Sequence, residues 1–340
     1  MKTIKLNIAL KKNVWHLIFL LYVNCFSQDY KNIEAYLNDF SKNEFHLNEK
    51  LSEYIIALKE NHIESRVSTT VNTILLKLNN LNLILTKHDK GWNNDVELRN
   101  ALINLNLLTI ELIKNDTFNL TNYKEMSLLS TEEILRIFDE KEKKIHEYYI
   151  TLKKYQDTKI KFYKKYKMNL IQTNRNEDIL EYVTEQGLIF YQVGVIDAKF
   201  IVDIKSHDLI NIEKTLTVLK QICQNVYIKN KLIKLKLKDT ALQKMTDTYV
   251  QTIEKNNSIL YTDFKTFFEK QEELKKRKEL YKTSKISTEE YGAFVKNYNE
   301  LKNRYLSAFD MIQKRKIDLV EDWYKSNSEF ITNNIKLEKK

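Results

Sequence analysis

Ten lysines crowd into residues 141–167: Lys141, Lys143, Lys144, Lys153, Lys154, Lys159, Lys161, Lys164, Lys165 and Lys167. Only Glu142, Glu147 and Asp157 oppose them, so the stretch carries a net +7. On a helix turning about 100° per residue, Lys143, Lys153, Lys154, Lys161, Lys164 and Lys165 fall within about 120° of arc. Ile145, Tyr148, Leu152, Tyr155, Phe162, Tyr163 and Tyr166 take the opposite side. The pattern predicts a helix with its aromatic stripe in a core and its lysines on one exposed ridge. Such a ridge suits a polyanion: lipopolysaccharide, anionic lipid headgroups or extracellular nucleic acid. Arginine is scarce in it and no aromatic ring interleaves with the lysines, which argues against specific nucleic-acid recognition. A plain solvated helix face would have the same composition. The smaller cluster from Lys229 to Lys238 spreads around its helix and forms no ridge.

Other side-chain chemistry is sparse. His46, His62, His88, His146 and His207 lie beyond the N-terminal segment, and none has a glutamate three residues before it, as di-iron bundles require. No His-Glu-x-x-His, Cys-x-x-Cys or acidic calcium loop can be written. Glu142 and His146 share a helix face and read as a surface ion pair; His62 and His207 read as structural residues near helix ends. The glycines, at 91, 187, 194 and 292, allow neither a nucleophile elbow nor a dinucleotide loop. Glu132-Glu133, Glu272-Glu273 and Glu289-Glu290 are adjacent, so on a helix they diverge and serve a helix start or a solvated face. The expectation is a non-enzyme with no catalytic, cofactor-binding or metal-binding residues.

The elements that carry the lysines follow from composition. The 340 residues include no proline and four glycines, where average usage gives about 17 and about 24. An AT-rich genome would produce the same bias. Turns must then come from Asn, Asp, Ser and few glycines, which favours long helices over a many-stranded β fold. With 43% apolar residues, 15 Phe and 20 Tyr, the chain can build a real core.

The N-terminus reads as an export signal. Lys2, Lys5, Lys11 and Lys12 precede the apolar run Val14–Val23, which is too short to span a membrane. Cleavage after Ser27 is preferred, over lipidation at Cys25 or an uncleaved anchor. Four lysines and no acid leave with residues 1–27, taking the formal charge from +10 to +6. The 141–167 stretch, at +7, accounts for more than all of it, and the rest sums to about −1. Cys223 then remains alone, in an apolar helical context that predicts a buried small side chain.

Internal repetition organises the rest. Ser-Thr-Glu-Glu occurs at 130–133 and 287–290, each time with capping-box spacing. Tyr54-Ile55-Ile56 with His62 parallels Phe200-Ile201-Val202 with His207, and Asp95-x-x-Leu98 parallels Asp239-x-x-Leu242. Phe162-Tyr163-Lys164 parallels Trp323-Tyr324-Lys325. The offsets are 145, 144, 157 and 161 for histidines, aspartates, caps and aromatics, as one insertion of about 13 residues would produce. Glu269–Lys282 is its natural place. Chance matching within a helical composition is the alternative. Predicted helices cover about 33–87, 96–114 and 130–170, with Gly91 as a left-handed cap and 115–129 as an irregular connection. Later breaks fall near Ser206-His207, Lys238-Asp239 and Thr283–Ser287. Lys234–Lys238 alternates like a strand but is too short to make a sheet.

Trp92-Asn93-Asn94-Asp95-Val96-Glu97-Leu98-Arg99, read with the long helix ending Lys161-Phe162-Tyr163-Lys164-Lys165-Tyr166, resembles uncharacterised helical secreted surface proteins of flavobacterial and spirochaete type. The resemblance covers residues 30–172 and implies secretion without a known activity. The combined expectation is an all-α fold: signal peptide 1–27, helical bundle 28–172, linker 173–177, helical bundle 178–340. The two tandem antiparallel bundles would pack in coiled-coil fashion. The expected function is a secreted or periplasmic binding or scaffold protein, with a protein partner or an anionic cell-surface polymer and at most peripheral membrane contact. A membrane-active, toxin-like bundle is the alternative.

Overall fold

The structure, a computed structural model, describes residues 30–38, 40–41, 44, 64–87, 89–117, 119–169, 177–232 and 239–334. The expected signal peptide, His46, His62, His88, linker residues 173–176 and the alternating 234–238 segment lie outside them. The described residues form α1 Glu64–Lys87, α2 Glu97–Lys114, α3 Tyr123–Met126, α4 Thr131–Lys165, α5 Glu177–Ser206, α6 Leu209–Leu232, α7 Ala241–Lys282 and α8 Thr288–Asn334. Residues 33–38 and 40–41 are also helical. The fold is all-α, with no strand among the described residues.

Caps explain why the helices start and stop where they do. Glu133 N–H donates to Ser130 Oγ at 3.3 Å, and Ser130 N–H donates back to the Glu133 carboxylate at 3.0 Å. The second box is half made: Glu290 N–H donates to Ser287 Oγ at 3.1 Å, while the Glu290 carboxylate binds Arg277. Helix ends need left-handed residues, and glycine supplies only Gly91, at φ 77°. Asp116, Lys167 and Ser284 supply three more, at φ 53°, 53° and 55°. Each closes a paired cap: Thr117 N–H to Leu112 O, Met168 N–H to Tyr163 O and Lys285 N–H to Leu280 O, all at 2.9 Å. His207 ends α5 in the same conformation, φ 59°, and its ring leans on Phe264 and Phe268.

The chain divides into two compact units that cut across the expected bundles. One contains residues up to Asn119 plus Lys143–Gln172; the other contains Leu120–Glu142 plus Thr173–Lys340. Segment 120–142 therefore belongs with the second half, although 28–172 was expected to hold together. Its side chains say why. Tyr123 and Phe138 pack on the Tyr191 ring of α5, at 5.4 and 5.9 Å, and Tyr191 Oη donates to Asn122 at 2.7 Å. The connection read as irregular also contains the single turn α3. A Cβ on Gly194 would lie 2.6 Å from Tyr123 Cε1, so α5 needs a glycine beneath that ring.

In the first unit, Leu98, Leu102 and Leu105 of α2 and Tyr155 and Phe162 of α4 share a core with Tyr36 and Phe40. Ile74, Leu78, Ile110 and Ile113 make a smaller one between α1 and α2. In the second unit, α5, α6, α7 and α8 pack as a bundle. The seam of α8 has the seven-residue repeat of a coiled coil: Tyr298, Tyr305 and Ile312, then Lys316, Trp323 and Phe330. Contacts running from Tyr281–Tyr291 near the turn to Asp239–Asn334 at the far end make α7 and α8 antiparallel.

Candidate functional site

The lysine-bearing helix α4 is locked on its aromatic side. Ile145, Tyr155 and Phe162 are buried, and Tyr148, Leu152, Tyr163 and Tyr166 pack against the core. The opposite side is less uniformly basic than its sequence. Lys143, Lys154, Lys161 and Lys164 are exposed and make no ion pair with a described residue. Lys153 is half-buried. Lys165 donates to Asp95 Oδ2 at 2.8 Å and closes the α1–α2 turn onto α4. Burial alone would raise the Asp95 pKa. Hydrogen bonds from Lys165, Glu97 N–H and Tyr166 outweigh it and hold the carboxyl below its usual range; Asp95 in turn raises Lys165.

Three further lysines of the run face inward or sideways. Lys159 donates to both oxygens of Glu44, at 2.9 and 2.7 Å, with Tyr155 Oη on the same carboxylate. Lys141 is buried beside the Tyr191 ring, and Lys144 pairs with Glu111 at 2.7 Å. Glu147 and Asp157 project on the ridge side and dilute it. About 16 Å of helix separates Lys143 from Lys154, roughly two screening lengths at physiological salt. The dense part of the ridge is thus Lys154, Lys161 and Lys164.

The expected Glu142–His146 pair is not the one formed. Glu142 accepts from Lys229 of α6, and His146 stays exposed. Cys223 is fully buried; desolvation and the nearby Glu254 push its thiol up to about 12. Among the described residues no group of three or more His, Cys, Asp or Glu could hold a metal ion. No described helix is long and apolar enough to cross a membrane.

Pattern reading passed over two features. Buried polar layers tie the α5–α8 bundle: Asp197 accepts from Asn257 Nδ2 at 2.8 Å and from Lys316, and Lys316 Nζ reaches Asn257 Oδ1 at 3.0 Å. Asp203 accepts from Lys199 at 2.6 Å and Thr215 at 2.7 Å, and Asn230 links Gln186 to Asp247. The second feature is the basic run Lys275-Lys276-Arg277-Lys278, visible in the sequence but absorbed there into a supposed insertion. No family model, curated protein or solved structure matches the chain.

Proposed function

We propose that the chain is an exported, non-enzymatic helical binding or scaffold protein that contacts an anionic surface polymer through α4. The observation that carries this reading is the asymmetry of α4. One side is fixed by a core and a closing turn, while Lys154, Lys161 and Lys164 stand exposed without a described partner. A rigid helix presenting unpaired lysines attracts a flexible polyanion at long range, without base or sugar specificity. The helix bounds also support the internal repeat behind the scaffold reading. α7 starts 144 residues after α2, and α8 starts 157 after α4.

Lipopolysaccharide binding to the mature chain tests the reading. Binding at low salt should weaken steeply toward physiological salt. Lys154→Glu, Lys161→Glu and Lys164→Glu together should lower it by about tenfold or more, with helicity unchanged. Lys165→Glu acts differently: it breaks the contact with Asp95 and loosens the turn. Unchanged binding in the triple variant, or no binding at low salt, sinks the proposal.

A further inference from the structure

The α7–α8 hairpin runs past the bundle of its own unit. Phe267 and Tyr298 are its last buried residues toward the turn, and from 268 to 297 every side chain is exposed or half-buried. The α7 half of this arm extends about 22 Å beyond Phe267. Its two helices hold each other: Tyr281 stacks on Tyr291 at 4.7 Å, and Arg277 lies over Phe294 at 4.5 Å while bonding Glu273 and Glu290. Ser284 closes the end.

That end carries a dense basic run on its α7 side, with Glu289 and Glu290 opening α8 across the turn. Between 275 and 285 stand Lys275, Lys276, Arg277, Lys278, Lys282 and Lys285 against Glu279 alone. Lys275 and Lys282 meet Glu272 and Glu279 in local surface pairs. Lys276, Lys278 and Lys285 are exposed and make no ion pair with a described residue. Leu280 and Tyr281 are exposed beside them, and Ile286 is half-buried in the turn.

We propose that this arm tip docks on an anionic lipid surface. Seated end-on, the hairpin brings Lys282 and Lys285 to a flat surface first, with Lys278 and Lys276 about one to two turns behind them on different sides of α7. Its free cations are lysines, whose compact charges match a diffuse layer of headgroups and lack the bidentate fork that recognises single carboxylates. Their stems, with Leu280, Tyr281 and Ile286, supply the apolar and amphipathic surface that settles at the headgroup boundary. The tip uses none of the α4 lysines and does not depend on the polymer reading.

Co-sedimentation of the mature chain from Gln28, which keeps every described residue, tests it. The probes are phosphatidylcholine vesicles with and without phosphatidylglycerol. Binding should require phosphatidylglycerol and weaken as salt rises. Lys276→Glu, Lys278→Glu and Lys285→Glu together should lower it about tenfold or more at unchanged helicity; the Gln triple should lower it by a smaller factor. Ridge reversal at Lys154, Lys161 and Lys164 should leave it unchanged. Equal binding by wild type and both arm triples overturns the proposal, as does equal binding to neutral vesicles. Binding to polyglutamate without binding to vesicles also overturns it and makes the tip a contact for an acidic polypeptide.

Discussion

At their turn-distal end, α7 and α8 are half of a bundle; at the other end, among the described residues, they have only each other. In the bundle, Trp323 lies on Phe190 at 4.0 Å and donates to Thr246 at 3.0 Å, and Lys316 is buried against Asp197 and Asn257. In the arm, aromatic rings and ion pairs lie on the surface, open to water and salt. The same coiled-coil seam thus serves two purposes. Where four helices meet, polar groups leave water and must be matched across helices, which fixes register. Where two meet, polar groups keep their water, and the seam only keeps the arm straight.

That contrast can be broken by mutation. Trp323→Ala removes a stacked, hydrogen-bonded ring from the bundle and should destabilise by about 3–5 kcal/mol in urea unfolding. Tyr291→Ala, at the arm, should lose about 1 kcal/mol or less, since its half-buried ring stacks on Tyr281 at the surface rather than inside the bundle. Equal losses at the two sites would mean that the arm is supported by more than its partner helix.

Asp197→Ala sharpens the same point through charge. It leaves Lys316 buried with only Asn257, and stranding one member of a buried pair costs about 3 kcal/mol or more. Adding Lys316→Met should restore most of that stability, because the unpaired charge goes with it. In the arm, Arg277→Ala should cost about 1 kcal/mol or less despite its two carboxylate contacts, and the loss should shrink in high salt to what its packing on Phe294 leaves. A double variant no better than Asp197→Ala would show that packing, not the stranded charge, sets the cost.

Legibility follows the range of the interaction. Capping, the aromatic stripe of α4, the left-handed Gly91 and the helix breaks near 206, 239 and 283 are local, and the sequence pattern carries them. The Asp197–Lys316 contact joins residues 119 apart, and no periodicity points to it. The assignment of 120–142 to the second unit depends in the same way on Tyr123 and Phe138 finding Tyr191. The ridge looked stronger in sequence than in space because an angular projection cannot see Asp95 arriving from the α1–α2 turn to take Lys165. The arm tip went unread for the opposite reason: its charge run is ordinary until the bundle ends beneath it.

Left-handed caps made without glycine give a smaller, stabilising prediction. Lys167 and Ser284 hold positive φ, a conformation that costs an L residue about 1 kcal/mol relative to glycine. Lys167→Gly and Ser284→Gly keep their backbone hydrogen bonds and relieve that strain, less the extra freedom glycine adds to the unfolded chain. Lys167→Gly should raise the melting temperature measurably. Ser284→Gly should stabilise the arm end while leaving global unfolding nearly unchanged, a difference that amide exchange across 275–290 would resolve. A global gain from Ser284→Gly would tie the arm to the cooperative unit and remove the contrast between the two ends.

The smallest effect concerns a buried polar group without full pairing. Asp89 is almost wholly buried in the α1–α2 turn, where Oδ1 accepts Gly91 N–H at 2.6 Å and Oδ2 has no partner. Desolvation raises its pKa above the ordinary 3.8, and the Gly91 hydrogen bond and Arg99 only partly oppose it. The folded state therefore holds the proton more tightly than the unfolded chain. The contribution of Asp89 to stability is complete below pH 3.8 and is lost as pH rises through its folded pKa. Asp89→Asn keeps the acceptor for Gly91 and removes the buried charge, so its melting temperature relative to wild type should rise between acid and neutral pH. A relative melting temperature that instead falls toward neutral pH would mean that Arg99 outweighs burial. Asp89 would then be matched by Arg99 within its own unit, as Asp197 is by Lys316 in the other.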